Sequence, residues 1–258
     1  TLGVGIVFYV IAALYIGCAL ATGLLHYTGS PSSSQTSGMI ADVVEGFRYL
    51  RRERIIVGLL IMGFLPMTFG YNVMFLLPVF NVDVLGGGPD DLSFLVSAMG
   101  VGALVGSLVL ARLGDIGYKG RVLFLSAYFW AAFLLGFAVS ETLWSAMVFG
   151  TFAGLFGTAM GSLNMSVVQL ASRPEIRGRV MAIMWMTYGF MPLGLIPISW
   201  LAEVVDIETA LVLSALLLAG SMVLLGIFYP ELRRIDKGHA KNETVLSTGT
   251  IRETDQDL

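Results

Sequence analysis

The chain has 258 residues, of which 56% are apolar and 13% are charged, and its mean hydropathy is +0.82. Soluble domains carry about 25% charged residues, so this composition excludes an ordinary soluble protein, and the apolar excess excludes disorder along most of the chain. The single cysteine, Cys18, excludes an intrachain disulfide framework. The composition therefore indicates an integral membrane protein.

Seven segments are long enough to cross a bilayer and contain no Asp, Glu, Lys or Arg. A helix rises about 1.5 Å per residue, so a hydrocarbon core of about 30 Å needs about 20 apolar residues. Lipid offers the backbone no hydrogen-bond partners, and the segments are too long and too uniformly apolar for membrane strands, so we expect seven helices. In chain order these spans are 2–25, 55–80, 92–111, 122–139, 143–171, 180–201 and 209–229.

The longest connection, residues 27–54, joins the first span (1–26 with its flank) to the second. Residues 28–38 read TGSPSSSQTSG, which is typical of a flexible linker. The following residues place an apolar stripe on one helix face, which predicts an amphipathic helix on the membrane surface, with a solvated loop as the alternative. That stripe consists of Ile40, Val43, Val44, Phe47 and Leu50. The six remaining spans fill residues 55–230, and the polar tail 231–258 is predicted to be disordered.

All 15 basic residues fall on one side of this arrangement: between the first and second, third and fourth, and fifth and sixth spans, and after the seventh. The charged residues of the opposite loops are all acidic. Cytoplasmic loops are rich in Lys and Arg, so the basic side is predicted to face the cytoplasm, with the N-terminus outside and the C-terminus inside. The acids of the opposite side are Asp83, Asp90, Asp91, Glu141, Glu203, Asp206 and Glu208.

The loop 111–121 reads ARLGDIGYKGR and resembles the signature loop G-x-L-x-D-R-x-G-R-R of the major facilitator superfamily. Asp115 matches the acid of the signature, while Lys119 and Arg121 supply its bases; Ile116 replaces the arginine. Other segments are similar to the enterobactin-exporter-like branch, which contains drug and siderophore exporters. These are 42–50 (DVVEGFRYL), 77–80 (LPVF), 84–87 (VLGG), 98–107 (AMGVGALVGS) and 173–180 (RPEIRGRV).

The resemblance implies a twelve-helix transporter of which this chain is the C-terminal half, preceded by the last helix of the N-terminal half. Its six helices would form two inverted three-helix repeats. The chain begins with Thr1 rather than Met, and we expect it to be a piece of a longer protein. The expected partners are the N-terminal half of the same transporter, the bilayer and a small-molecule substrate, but no nucleic acid.

Transporter substrate sites lie near the bilayer midplane, so polar and helix-breaking residues deep in the spans are candidates for the substrate cavity. Asn72 has two interpretations, a substrate contact or an interhelical hydrogen bond. Trp185 and Tyr188 share a helix face and either stack on an amphipathic substrate or fill the core. The complete set of candidates is Thr68, Tyr71, Asn72, Ser162, Asn164, Trp185 and Tyr188.

Glycines and prolines inside the spans predict close packing and bends. The fifth span has Gly150, Gly154, Gly157 and Gly161, and the third has Gly102 and Gly106, at spacings that favour close helix approach. Pro192 and Pro197 predict bends in the sixth span, for rocking motion or for packing.

Charged residues at the cytoplasmic helix ends are candidates for a gate. Ion pairs among them are predicted to latch the outward-open state, a role that the resemblance implies for Asp115. The alternative is a role in topology and contact with anionic lipid alone. The gate candidates are Asp115, Lys119, Arg121, Glu175, Arg177 and Arg179.

The sequence has no catalytic constellation, no metal-ligand cluster and no G-x-x-x-x-G-K-[ST] motif. We therefore expect no enzyme activity, no metal and no cofactor. No span holds an acid or a histidine, so the coupling residue of a proton-driven carrier is expected in the N-terminal half. The sequence predicts a secondary active exporter of a small, partly hydrophobic molecule in the inner or plasma membrane, working by alternating access. The alternative is a membrane-embedded subunit or scaffold that partners another membrane protein or an ATPase.

Overall fold

The computed structural model describes residues 4–24, 53–113, 117–174 and 176–234. The predicted amphipathic helix and the tail beyond residue 234 lie outside these ranges. The chain forms two compact units, 1–39 and 40–258.

The described part of the first unit is the helix α1 (Val4–Leu24), of 21 residues. At about 1.5 Å per residue it is about 31 Å long, enough to cross a hydrocarbon core. Its apolar side chains are exposed around the helix, as Tyr9 and Leu14 illustrate. A helix that is apolar on all faces is typical of a membrane span, and α1 coincides with the predicted first span.

The second unit is all-helical in the part that the structure describes. Its helices are α2 (Arg54–Phe69), α3 (Asn72–Asp83), α4 (Pro89–Leu113), α5 (Lys119–Ala138), α6 (Leu143–Ala171), α7 (Arg177–Met186), α8 (Met191–Val204) and α9 (Ile207–Phe228). Two short 3-10 turns, Thr187–Phe190 and Pro230–Arg234, follow α7 and α9.

Among the residues of this unit that the structure describes, six stretches are long and apolar enough to cross a membrane, and they confirm the second to seventh predicted spans. The second span is α2 with α3, and the sixth is α7, the 3-10 turn and α8; α4, α5, α6 and α9 are the others. About half of the second and fourth spans is buried within the unit, but only 22% of the third and sixth. The exposed faces are apolar, which suits lipid or a further set of helices as their surroundings.

The second span is broken in its middle. Pro66 has no N–H, and the amides of Gly70 and Tyr71 both donate to its carbonyl oxygen, at 2.7 and 3.0 Å. The helix therefore ends at Phe69 and restarts at Asn72.

The sixth span is also broken, but not at the predicted prolines. The break is the 3-10 turn Thr187–Phe190, and Pro192 lies in the first turn of α8, where a missing N–H costs no helical hydrogen bond. Both broken spans meet, because the ring of Phe64 in α2 lies edge-on to Phe190, with centroids 6.0 Å apart.

Helices α4 and α6 approach each other backbone to backbone. A Cβ atom on Gly102 or Gly106 would collide with the carbonyl of Thr151 or Leu155, and one on Gly154 with the carbonyl of Met99. The predicted packing role of these glycines is confirmed. For Gly161 the prediction is wrong, because a Cβ there would meet nothing within 4 Å.

The two ends of the bundle differ in charge. At one end, which we call the basic end, Arg54 lies over the ring of Tyr229 at 5.9 Å, and the fully buried Leu232 packs against Gly58 of α2 and Gly120 of α5. The starts of α2 and α5 and the end of α9 therefore meet there, and residues 231–234, assigned to the tail by the sequence, are part of the folded unit.

At the opposite, acidic end Asp206 caps α9. Its carboxylate accepts hydrogen bonds from the backbone N–H of Thr209 (2.6 Å) and from the Thr209 hydroxyl (2.8 Å). These two bonds, the backbone bond first, hold the pKa of the Asp206 carboxyl below its ordinary value.

Candidate functional site

The breaks in the second and sixth spans open onto one cleft together with α6. The cleft has a volume of about 260 Å³. It is lined by Gly63, Pro66, Met67 and Tyr71 of the second span, Met184, Thr187 and Tyr188 of the sixth, and Gly157, Thr158, Met160, Gly161, Ser162, Asn164 and Met165 of α6. Helix interruptions place polar backbone and side chains where a continuous apolar helix would not, as in transporter binding sites.

Tyr71 stands at the break of the second span and is held by Trp130 of α5. The two rings meet edge to face, with centroids 5.4 Å apart and an interplanar angle of 68°. Trp130 is itself 5% exposed and lies directly against Gly70 and Gly157, where added Cβ atoms would come within 3 Å of the indole. The back wall of the cleft therefore depends on this tryptophan.

The sixth span supplies the opposite wall. The Thr187 hydroxyl donates to the Met184 carbonyl at 2.6 Å, which caps the end of α7. Tyr188 stacks on Trp185, with centroids 5.1 Å apart and an interplanar angle of 22°. Trp185 is 56% exposed and does not line the cleft, so it supports Tyr188 from outside.

Helix α6 places two of the predicted candidates in the cleft. Ser162 is exposed there, while Asn164 is 1% exposed and its side-chain Oδ1 has no hydrogen-bond partner. The amide nitrogen of Asn164 lies close to Gly63 of α2, where a larger residue would collide with it.

Asn72 and Thr68 are buried behind the cleft rather than in its lining. The Asn72 side-chain amide donates to the Thr68 carbonyl at 2.9 Å and to the Ser214 hydroxyl of α9 at 3.1 Å. The Ser214 hydroxyl in turn donates to the Phe69 carbonyl. Of the two interpretations of Asn72, the structure favours the interhelical hydrogen bond.

Four of the seven candidates thus line one cleft: Tyr71, Ser162, Asn164 and Tyr188. The sequence analysis missed Thr158, Thr187 and four methionines, namely Met67, Met160, Met165 and Met184. For Thr158 and Met165 the sequence held a signal, because they share a helix face with the predicted candidate Ser162 at spacings of four and three residues. None of the lining residues is charged, so the cleft is neutral.

Two of the six predicted gate residues, Asp115 and Glu175, lie outside the described residues. Lys119 lines a second cleft of about 360 Å³ at the basic end, with Ser107, Ser162 and Ser166. Arg121 lies over the ring of Tyr118 at 5.3 Å. Arg177 donates to the Ser172 carbonyl at 3.4 Å, and Arg179 is half-buried. The gate therefore stays a prediction.

No group of metal-ligating side chains occurs among the residues that the structure describes. The cleft offers hydroxyls, one carboxamide, thioethers and aromatic rings. That chemistry suits reversible binding of an uncharged or weakly polar surface.

Residues 1–248 match the family described as transmembrane secretion effector. Macrolide efflux protein A of Streptococcus pyogenes is 24% identical over 238 residues, which cover 88% of this chain and 56% of that protein. The staphyloferrin A transporter of Staphylococcus aureus is 28% identical over 151 residues, 57% of this chain and 37% of that protein. The chain spans about half the length of the macrolide efflux protein.

A solved structure has the same fold. The crystal structure of the E. coli fucose:proton symporter superposes with a TM-score of 0.65 at 15% identity, covering 85% of this chain and 54% of that one. The similarity supports the expected all-helical fold.

Proposed function

Because the chain belongs to the transmembrane secretion effector family of the major facilitator superfamily, we propose that it forms the C-terminal half of a secondary active exporter, preceded by the last helix of the N-terminal half. The exporter moves a small, partly hydrophobic molecule by alternating access and carries out no catalytic step. The relative named as a macrolide efflux protein supports the outward direction, and that protein and the staphyloferrin A transporter both support a small-molecule substrate.

The observation that carries the proposal is the neutral cleft at the two helix breaks. Apolar and aromatic walls with a few polar groups bind the body of an amphipathic molecule without trapping it. Breaks in two spans that face the same cleft allow its walls to move relative to each other, as alternating access requires. The N-terminal half supplies the other wall and the coupling to the proton gradient.

The protein lies in the cell (inner) membrane with its basic end and C-terminus in the cytoplasm. The support is the placement of all 15 basic residues in alternate connections. At that end Asp115, with Lys119, Arg121, Glu175, Arg177 and Arg179, forms the cytoplasmic gate; we expect Asp115→Asn to reduce turnover without reducing the amount of protein in the membrane.

The cleft is tested by filling it. A Cβ atom at Gly161 would meet no neighbour within 4 Å, and Gly161 lines the cleft, so Gly161→Trp introduces an indole at the cleft wall from a backbone position that is not packed against another helix. The full-length transporter is reconstituted in vesicles, and uptake of an amphipathic fluorescent dye is followed with and without a proton gradient. We expect gradient-driven transport by the unmodified protein and loss of it in Gly161→Trp.

The matched control is Gly220→Trp on α9. A Cβ atom at Gly220 would also meet nothing within 4 Å, but Gly220 is exposed and does not line the cleft. It should transport at the normal rate. Equal rates in both variants, or flux that ignores the gradient, would contradict the proposal.

The orientation is tested in a background in which Cys18 is replaced by Ser. Gly88 lies in the loop at the acidic end and Gly178 at the basic end, and a Cβ atom at either position would meet nothing within 4 Å. A membrane-impermeant maleimide added to intact cells should label Gly88→Cys and spare Gly178→Cys. The reverse pattern would invert the topology.

A further inference from the structure

The carboxamide of Asn164 is the least satisfied polar group in the wall of the cleft. The residue is 1% exposed, yet its Oδ1 accepts no hydrogen bond. A buried acceptor without a donor is unfavourable, because burial removes its water and returns no partner. The residue lines the cleft, so a turn of its carboxamide towards a ligand bound there gives the oxygen the donor that it lacks.

Two other buried asparagines show that this arrangement is specific to Asn164. Asn72 and Asn81 also have an Oδ1 without a partner, but neither lines the cleft, and the side-chain amide of each is committed to protein acceptors. Asn81, for example, donates to the Gly88 carbonyl at 3.0 Å. Only Asn164 combines an unpaired oxygen with a position in the cleft.

The other residues of the cleft indicate what kind of molecule must carry the donor. The Thr187 hydroxyl gives its proton to the Met184 carbonyl, so towards the cleft it also offers lone pairs. The other lining residues include four methionines and two tyrosines, and thioether side chains adapt to differently shaped apolar bodies. No lining residue carries a positive charge that would bind an anionic group.

We propose that Asn164 selects substrates that carry an N–H or O–H donor on a largely apolar, non-anionic body, through a hydrogen bond to its Oδ1. The inference rests on the proposed transport function and names the class of molecule that the same cleft takes. Asn164 is then a specificity-determining residue. The methionines allow the cleft to accept substrates whose apolar bodies differ in shape.

Two fluorescent dyes test the donor directly. One is a rhodamine methyl ester with free amino groups, and the other is its tetra-N-methyl analogue, which keeps the ring system and the charge but lacks every N–H. Binding of each dye to purified full-length transporter is measured by fluorescence polarisation, which needs no gradient and no turnover. We expect the amino dye to bind about tenfold more tightly, the net effect of one buried hydrogen bond.

The variants assign that preference to one atom. Asn164→Leu should bring the affinity ratio close to one by weakening the amino dye alone. Asn164→Asp keeps an acceptor oxygen and should keep the preference, which also guards against a leucine variant that fails to fold. Asn81→Leu, at an equally buried asparagine away from the cleft, should keep the ratio of the unmodified protein.

Several results overturn the inference: no preference in the unmodified protein, binding of neither dye, an unchanged ratio in Asn164→Leu, or equal loss of both dyes in that variant. Failure of the proposed function is a separate outcome. It appears as normal, Asn164-dependent binding of the amino dye without gradient-driven transport in vesicles.

Discussion

Trp130 of α5 and Tyr71 of the second span meet edge to face, 5.4 Å between centroids, at the point where that span is interrupted. The contact ties the broken segment to a buried helix. A tyrosine at a helix break would otherwise adopt several orientations, and the cleft would lose a fixed wall. The rigidity of the site thus comes from a residue that does not line it.

Replacing Trp130 by Ala should destabilise the protein and impair transport together. Truncation of a buried tryptophan costs about 3–5 kcal/mol, and here it also frees Tyr71. Thermal unfolding in detergent and vesicle transport measure the two effects. Trp144→Ala is the control, because Trp144 is 76% exposed, and it should leave both nearly unchanged. The same unfolding temperature and transport rate in both variants would show that Trp130 does not stabilise the cleft.

Gly102→Val should disrupt the contact between α4 and α6. Any side chain at Gly102 collides with the Thr151 backbone, and backbone atoms cannot avoid the contact by a side-chain rotation. We expect a loss of about 1–3 kcal/mol or more, seen as a lower unfolding temperature and reduced yield. Gly100→Val, two residues away with nothing within 4 Å, is the matched control and should be tolerated. A normal unfolding temperature for Gly102→Val would refute the close packing.

Ser214→Ala should lower stability by about 1 kcal/mol, because it removes a bond from Asn72 and a bond to the Phe69 carbonyl. These are contacts between helices, so their loss weakens the packing of α9 on the second span. Ser221→Ala removes only a bond to the Leu218 carbonyl in the same helix and should have little effect. Chemical or thermal unfolding of the two variants side by side decides whether the interhelical bonds matter.

Asp206 gives α9 a pH-dependent cap. Its carboxyl pKa is lower in the folded protein than in the unfolded chain, so its contribution to stability is present above the ordinary carboxyl pKa of about 3.9 and is lost as the pH falls through the folded value. Asp206→Asn keeps a capping oxygen but cannot titrate. The variant should be less stable than the unmodified protein at neutral pH, and the gap should close in acid. A gap that persists or widens in acid would contradict this origin.

The positions and number of the spans were predictable because apolar length and charge placement are properties of the sequence alone. The break at Gly70 and Tyr71 was not among the predicted bends, although Pro66 lies one helical turn before it. The break in the sixth span was misplaced, since proline in the first turn of a helix is tolerated and the 3-10 turn precedes Pro192.

The sequence could not predict that Asn72 and Asn164 have different roles. Both are polar residues deep in apolar spans, and only the distance to Ser214 shows that one is committed to another helix. Gly161 likewise shares its spacing with the packed glycines of α6, but it faces the cleft and not α4. Such differences depend on which neighbour each helix face meets, and local sequence carries no record of that.

Leu232 lies fully buried between the starts of α2 and α5, four residues beyond the last membrane helix. The short turn that carries it covers the bundle at the basic end. A protease cut or a fusion joint placed immediately after Phe228 would release this turn and uncover Gly58 and Gly120. Tags intended to leave the protein intact belong after Arg234.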